Sequence, residues 1–227
     1  MGARHSNAPL AIVLAFASLM FAASTTAQCA EVSKSTQIAN TVSDFVQLRA
    51  LRDLIAQRMI VHVRVSFDNG NGSLSDFGAA VAPGSDATGR SFFDVAKSQL
   101  PESFEGYPVK IVQWPLQAIP LSEGEASQAL KALSDLISSD GVRDLLASGW
   151  LISTDVDFTA PPPELQVAGN TQAIPGSTNP RSGSIYGQSL ERDIPAVFEG
   201  FPVRVDASAH YAYGTLKSRP GRARFQK

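Results

Sequence analysis

The chain has 227 residues, of which 44% are hydrophobic and 18% are charged, and its formal net charge is −2. This composition is typical of a globular protein and excludes a disordered chain. The small negative charge gives no support for a nucleic-acid partner. Without the leader described next, about 200 residues remain, which is enough for a substantial core in one domain or two small ones.

The first 27 residues have the pattern of a secretory signal peptide. Arg4 lies in a short polar start, an apolar run follows over 10–23, and small residues lead to Ala27. The run is shorter than the ~20 residues that a transmembrane helix needs, and no other stretch approaches that length. We therefore predict cleavage after Ala27 and a secreted or periplasmic protein with no transmembrane segment. An uncleaved interfacial anchor is the alternative.

Cys29 is the only cysteine, so an intramolecular disulfide is impossible. Its position after the leader raises the alternative of a lipid-anchored cysteine. Gln28 and Thr26 match a lipidation signal poorly, so we favour an unmodified thiol and keep the lipid anchor at Cys29 as the less favoured interpretation.

Two blocks of the sequence occur twice. Residues 43–67 align without a gap to 134–158, with 8 of 25 positions identical, and residues 101–111 align to 195–205, with 6 of 11 identical. The offsets are 91 and 94 residues, so both the order of the blocks and their spacing are kept. This period exceeds the about 20 to 50 residues of solenoid units. We therefore predict a tandem duplication.

The first repeat predicts a helix, a strand, a loop, a short helix and a second strand. Apolar residues recur every three or four positions over 35–59, as on one face of a helix, and every second position over 60–67, as in a half-buried strand. Small and polar residues over 73–90 indicate a loop. A short helix over 91–100, with Ser91 as its N-cap and Pro101 as its stop, and a strand over 107–114 follow.

The second repeat predicts the same order. Its first helix, over 126–147, is interrupted near 138–141, and its long loop over 159–187 contains three consecutive prolines. A further short strand is expected around 209–213. The predicted fold is α+β, with two helix-strand-helix-strand units packed as one pseudo-twofold body with a mixed sheet. The predicted organisation is a signal peptide over 1–27, repeat units over 28–115 and 116–214, and a disordered basic tail over 215–227.

The matched first strands carry opposite charges on their polar faces. Residues 62, 64 and 66 are His, Arg and Ser, and the matched residues 153, 155 and 157 are Ser, Asp and Asp. Strands near a pseudo-twofold axis would bring Arg64 within ion-pair reach of Asp155 or Asp157. As an exposed pair this would contribute at most about 1 kcal/mol. The alternative is two unrelated solvated faces. The candidate binding residues are His62, Arg64, Asp155 and Asp157.

Signals for catalysis or metal binding are weak. The histidines beyond the leader, His62 and His210, are far apart and lack a nucleophile motif nearby. Paired His or Cys ligands for zinc are missing, and the Asn- and Gly-rich run over 68–76 has glycine where a calcium loop needs oxygen ligands. We therefore predict no catalytic residues, no metal and no cofactor.

The sequence favours an exported, non-enzymatic binding or protein-interaction protein of unknown ligand. Its contacts would be made through the long loops 68–90 and 159–187, since loops on a rigid scaffold are where function usually lies. The partner would be an exported protein or a small ligand. One alternative is a hydrolase using carboxylates such as Asp155 and Asp157 between the repeats. Another is an inhibitor of an exported enzyme.

Overall fold

A computed structural model describes residues 34–68, 71–147, 149–169 and 194–206. The predicted signal peptide, Cys29, the strand predicted around 209–213 and the predicted basic tail lie outside these residues. The described part confirms the α+β class, with five helices and one eight-stranded mixed sheet. None of the helices within the described ranges has the length and apolar character needed to cross a membrane.

The helices and strands are numbered in chain order. The helices are 34–46 (α1), Arg49–Ala56 (α2), Phe92–Gln99 (α3), Glu123–Ser138 (α4) and Asp140–Ala147 (α5). The strands are Ile60–Asp68 (β1), Ser73–Val81 (β2), Ser103–Phe104 (β3), Tyr107–Gln113 (β4), Leu151–Asp157 (β5), Glu164–Gly169 (β6), Val197–Phe198 (β7) and Phe201–Asp206 (β8).

The strand order is β3-β4-β2-β1-β5-β6-β8-β7. At the centre β1 and β5 pair antiparallel, and on either side lie the parallel pairs β2–β4 and β6–β8. The two-residue strands β3 and β7 close the edges as hairpins with β4 and β8. Because side chains alternate along a strand, each face of this sheet collects every second residue.

All five helices pack on one face of the sheet. Buried helix residues such as Val42, Leu54, Val95, Leu130 and Leu146 share one core with the inward-facing strand residues. Those strand residues are aligned across the sheet by its register: Val63, Val65, Phe77, Ala79, Val156, Leu165 and Val167. Burial of this apolar surface is the main term that stabilises the fold.

Each edge hairpin turns through a Glu-Gly pair with positive φ at both residues. The values are 49° and 86° at Glu105 and Gly106, and 48° and 88° at Glu199 and Gly200. This is the conformation of a type I′ turn, which glycine adopts readily and glutamate rarely does. Each glutamate side chain contacts a helix: Thr41 Oγ1 of α1 donates to Glu105 Oε2 at 2.7 Å, and Lys131 Nζ of α4 lies 3.9 Å from Glu199 Oε1. Neither hairpin was predicted from the sequence.

Several predicted elements are confirmed, and the prediction of one helix was wrong. Strand β1, helix α3 with its Ser91 cap, strand β4 and the break between α4 and α5 all lie where the sequence placed them. The single helix predicted over 35–59 is two helices, because Leu48 is extended, with φ −55° and ψ 121°. The break redirects the chain, so that Leu51, Leu54 and Ile55 of α2 are buried as well as Phe45 of α1.

The two predicted loops were wrong in part. Residues 73–81 form β2, which lies next to the centre of the sheet, and 164–169 form β6 in the corresponding place on the other side. In β2 the run Gly78-Ala79-Ala80 concealed the strand, because small residues have low strand propensity and give no period-two pattern. In β6 only Leu165 and Val167 point into the core.

Candidate functional site

The face of the sheet opposite the core is called the polar face here. It carries the strand residues that alternate with the core residues, and the register aligns them in rows across the strands. Its central members are His62, Arg64 and Ser66 of β1, Asp76, Gly78 and Ala80 of β2, Lys110 of β4, Ser153, Asp155 and Asp157 of β5, and Gln166 of β6.

The four candidate binding residues come together at the centre of the polar face. Arg64 lies directly opposite Asp155, and His62 lies opposite Asp157. The Arg64 Nε donates a hydrogen bond to Asp155 Oδ1 at 2.8 Å. The His62 Nε2 lies 3.9 Å from the other oxygen, Asp155 Oδ2. The antiparallel pairing of β1 and β5 therefore produces the ion pair that the sequence suggested.

The expectation that this ion pair is exposed was wrong. The Asp155 side chain is 3% exposed, that of Arg64 is 12% and that of His62 is 13%. Removing charges from water is costly, and their attraction offsets this cost only when they are well paired. These residues therefore form a buried polar cluster rather than a contact surface that a partner reaches directly.

Burial also sets the charge of His62. Loss of contact with water lowers the pKa of His62, Asp155 opposes this by favouring the charged ring, and Arg64 adds to the lowering. The pKa therefore lies below its ordinary value, and the ring is neutral at neutral pH. The cluster then holds one arginine cation and the carboxylates of Asp155 and Asp157.

The two carboxylates of the cluster are engaged in structural contacts. Asp155 accepts from Arg64, and Ser153 Oγ lies 3.4 Å from its second oxygen. Asp157 Oδ1 accepts from the backbone N–H of Thr159 at 2.8 Å. Within the ranges the structure describes, no three His, Cys, Asp or Glu side chains are grouped to hold a metal ion.

One end of the cluster is covered by residues 114–119, called the strap here. The strap is fixed at both ends, because Trp114 N–H donates to Val81 O at 2.8 Å and Ile119 N–H donates to Phe158 O at 3.0 Å. The Trp114 ring lies against His62, with ring centroids 5.8 Å apart. Trp114 and Ala118 also pack on a small second core with these buried members: Val61, Ala80 and Ala82.

Three irregular segments meet at this end of the sheet. Strands β2 and β5 both run antiparallel to β1, so their carboxyl ends lie beside the start of β1. Strand β4 is parallel to β2 and ends there as well. The segments 82–91, 114–119 and 158–163 follow these strands, and together they are called the strap end. At its outer surface Leu116 is 43% exposed.

The segment 82–91 is held in shape by Asp86. Its Oδ1 accepts from Thr88 Oγ1 at 2.6 Å, from Thr88 N–H at 2.9 Å and from Arg90 N–H at 3.0 Å. The Arg90 Nε lies 3.2 Å from Asp86 Oδ2. These contacts, led by the Thr88 hydroxyl, lower the pKa of Asp86 to about 2. The loop therefore has one defined shape around a charged carboxylate.

The residues that build the strap end were not predicted from the sequence. The pattern places Trp114 at the end of a strand, and Leu116 and Asp86 carry no periodic or motif signal. The contact between Lys110 Nζ and Asp76 Oδ2, at 2.6 Å on the polar face, was not predicted either. One signal for the strap end was available: the segments 82–90 and 159–163 lie inside the two predicted long loops. That these segments lie at the same end of the sheet depends on the strand order, which could not be predicted from the sequence.

Comparison with protein-family models and with curated proteins gives no relative. No known family model matches this sequence, and no curated protein matches it significantly.

Proposed function

We propose that the protein is an exported, non-enzymatic binding protein that contacts a protein partner through the strap end. The observation that carries the proposal is that three mostly exposed segments lie at one end of the sheet, and that the strap presents Leu116 to solvent there. Leu116 is one of two large hydrophobic side chains that are exposed within the described residues; the other is Val197, at 61%. An apolar side chain on ordered loops is what a protein interface commonly buries.

The order of the three segments supports this proposal. Asp86 fixes the first, two backbone hydrogen bonds fix the ends of the strap, and Asp157 fixes the start of the third through Thr159. Loops that are held in one shape before binding lose less conformational entropy when a partner docks. The predicted loops 68–90 and 159–187 each contribute a described part to this surface.

The proposed duplication is supported by the centre of the sheet. The sequence alignment matches Arg64 with Asp155 at an offset of 91 residues, and these same two residues lie opposite each other in β1 and β5. Equivalent positions of two related units meet in this way only at a local twofold axis. We propose on this basis that units 28–115 and 116–214 arose by duplication and pack as one body. An inhibitor of an exported enzyme is one form that such a binding protein could take.

The contacts favour binding over the carboxylate hydrolase. A general acid or base must reach a substrate and exchange a proton with it. Asp155 is almost fully buried and bonded to Arg64, and Asp157 accepts from the backbone at Thr159. Both carboxylates thus have structural roles that account for their positions.

The two exposed hydrophobic residues provide a matched test. The purified protein, Leu116→Asp and Val197→Asp are immobilised and exposed to the exported proteins of the same source, and retained proteins are quantified. We expect a partner whose binding is saturable. The amount retained should fall by about tenfold or more with Leu116→Asp and stay unchanged with Val197→Asp, because a charge at the centre of an interface is poorly tolerated. Equal retention by all three proteins would reject the strap end as the contact surface.

A further inference from the structure

The strap lies against His62 at the strap end of the sheet. The strap has a backbone hydrogen bond at each end and no helix or strand between them. Trp114 covers the ring of His62, with the two ring planes at 46°. The strap can therefore detach without breaking the pairing of β1 with β2 or β5. Detachment would return the His62 ring to water.

The charged groups that face His62 come from β1 and β5. Arg64 lies two residues further along β1 on the same face, and Asp155 and Asp157 face His62 from β5. On β2 the register partner is Ala80, which has no charge. The neutral ring is not bonded to Asp155, because 3.9 Å exceeds hydrogen-bond distance.

A proton on His62 would change the balance between the closed and the detached strap. The closed strap keeps the ring away from water. A charged imidazolium costs free energy in such a buried position. Detachment would expose the imidazolium to water, and Asp155 and Asp157 would remain beside it. A ligand, here a proton, shifts a two-state equilibrium toward the state that binds it more tightly.

We infer that His62 is the proton sensor of the strap, and that protonation of its ring releases Trp114 and residues 114–119 from the polar face. Release would expose the buried polar cluster to water, and the strap residues around Leu116 would lose their ordered arrangement. As regulation of the proposed contact surface this inference rests on the proposed function. The release itself is measured on the protein alone, so its failure is distinct from failure of partner binding.

The test uses the two tryptophans of the chain, Trp114 and Trp150, labelled with 5-fluorotryptophan and assigned with Trp150→Phe. Fluorine NMR follows each resonance from neutral pH down to about pH 5. We expect the Trp114 resonance to move to the solvent-exposed position, with a midpoint below the ordinary histidine value of 6.5. The Trp150 resonance should stay in place, and far-UV circular dichroism should show that the fold is kept.

The control variants separate His62 from other acid effects. His62→Gln should abolish the Trp114 transition over this range, whereas His210→Gln should leave it unchanged. A transition that persists in His62→Gln would overturn the inference. So would a Trp114 resonance that stays buried until the whole protein unfolds. Exchange of the Ile119 amide hydrogen should accelerate with the same midpoint, because its bond to Phe158 O anchors the strap.

Discussion

The Arg64 Nε donates to Asp155 Oδ1 at 2.8 Å across β1 and β5, and this bond joins the two halves of the chain inside the sheet. Both side chains are largely buried on the face opposite the main apolar core. Pairing therefore offsets part of the free energy that each charge loses on leaving water, and removing Arg64 takes this cation away from the buried Asp155 carboxylate.

Arg64→Ala should lower the free energy of unfolding by about 3 to 5 kcal/mol, because it leaves the Asp155 carboxylate buried without its cation. The double variant Arg64→Met with Asp155→Leu removes both charges at similar volume and should be near neutral or more stable. Urea unfolding followed by circular dichroism measures both. A single variant as stable as the parent would show that the pair does not carry a buried charge.

His62 should make the protein less stable in mild acid. Its pKa in the folded protein is lowered, so the unfolded chain binds the proton more readily and unfolding is favoured as the pH falls below 6.5. This contribution to stability is complete above 6.5 and is lost as the pH falls toward the folded pKa. Urea midpoints measured against pH should fall less steeply for His62→Gln. Parallel slopes in the two proteins would contradict the buried neutral ring.

Gly106→Ala should destabilise the protein by about 1 to 2 kcal/mol, because the residue has φ of +86° and a side chain is strained there. No atom lies within 4 Å of the position a Cβ would take, so the cost comes from the backbone alone. Gly124→Ala is the control: this residue lies in α4, and the nearest atom to an added Cβ is Ser122 Oγ at 3.9 Å. It should be neutral or stabilising by up to about 1 kcal/mol. Thermal unfolding of both variants measures the difference.

The carboxyl group of Asp86 should titrate near pH 2, well below the ordinary value of 3.8. The Thr88 hydroxyl is the main cause, so Thr88→Val should move this midpoint upward toward 3.8. Carboxyl carbon NMR during an acid titration measures it. An Asp86 that titrates at its ordinary value in both proteins would show that the loop 82–91 is not held by this carboxylate.

The parts of the fold that were predictable are those with a periodic apolar pattern or a local stop signal. The alternation over 60–67 gave β1, and Pro101 after 91–100 marked the end of α3. The Arg64–Asp155 pair could be predicted because the alignment matched the two residues. Strand β2 could not be predicted, since Gly78, Ala79 and Ala80 carry no side-chain signal for a strand.

The candidate site was less predictable than the fold. Burial of Arg64 and Asp155 depends on what surrounds the polar face, and a single strand pattern does not contain that information. The strap was missed for the same reason. Trp114 covers His62 only because β4 lies two strands from β1, and that strand order is a property of the whole sheet.

Amide hydrogen exchange, measured with and without the captured protein partner, decides whether the strap end is the contact surface. We predict slower exchange within 82–91, 114–119 and 158–163, and unchanged exchange in β7 and β8 around Val197. Protection confined to β7 and β8, with the strap end exchanging as in the protein alone, would contradict it.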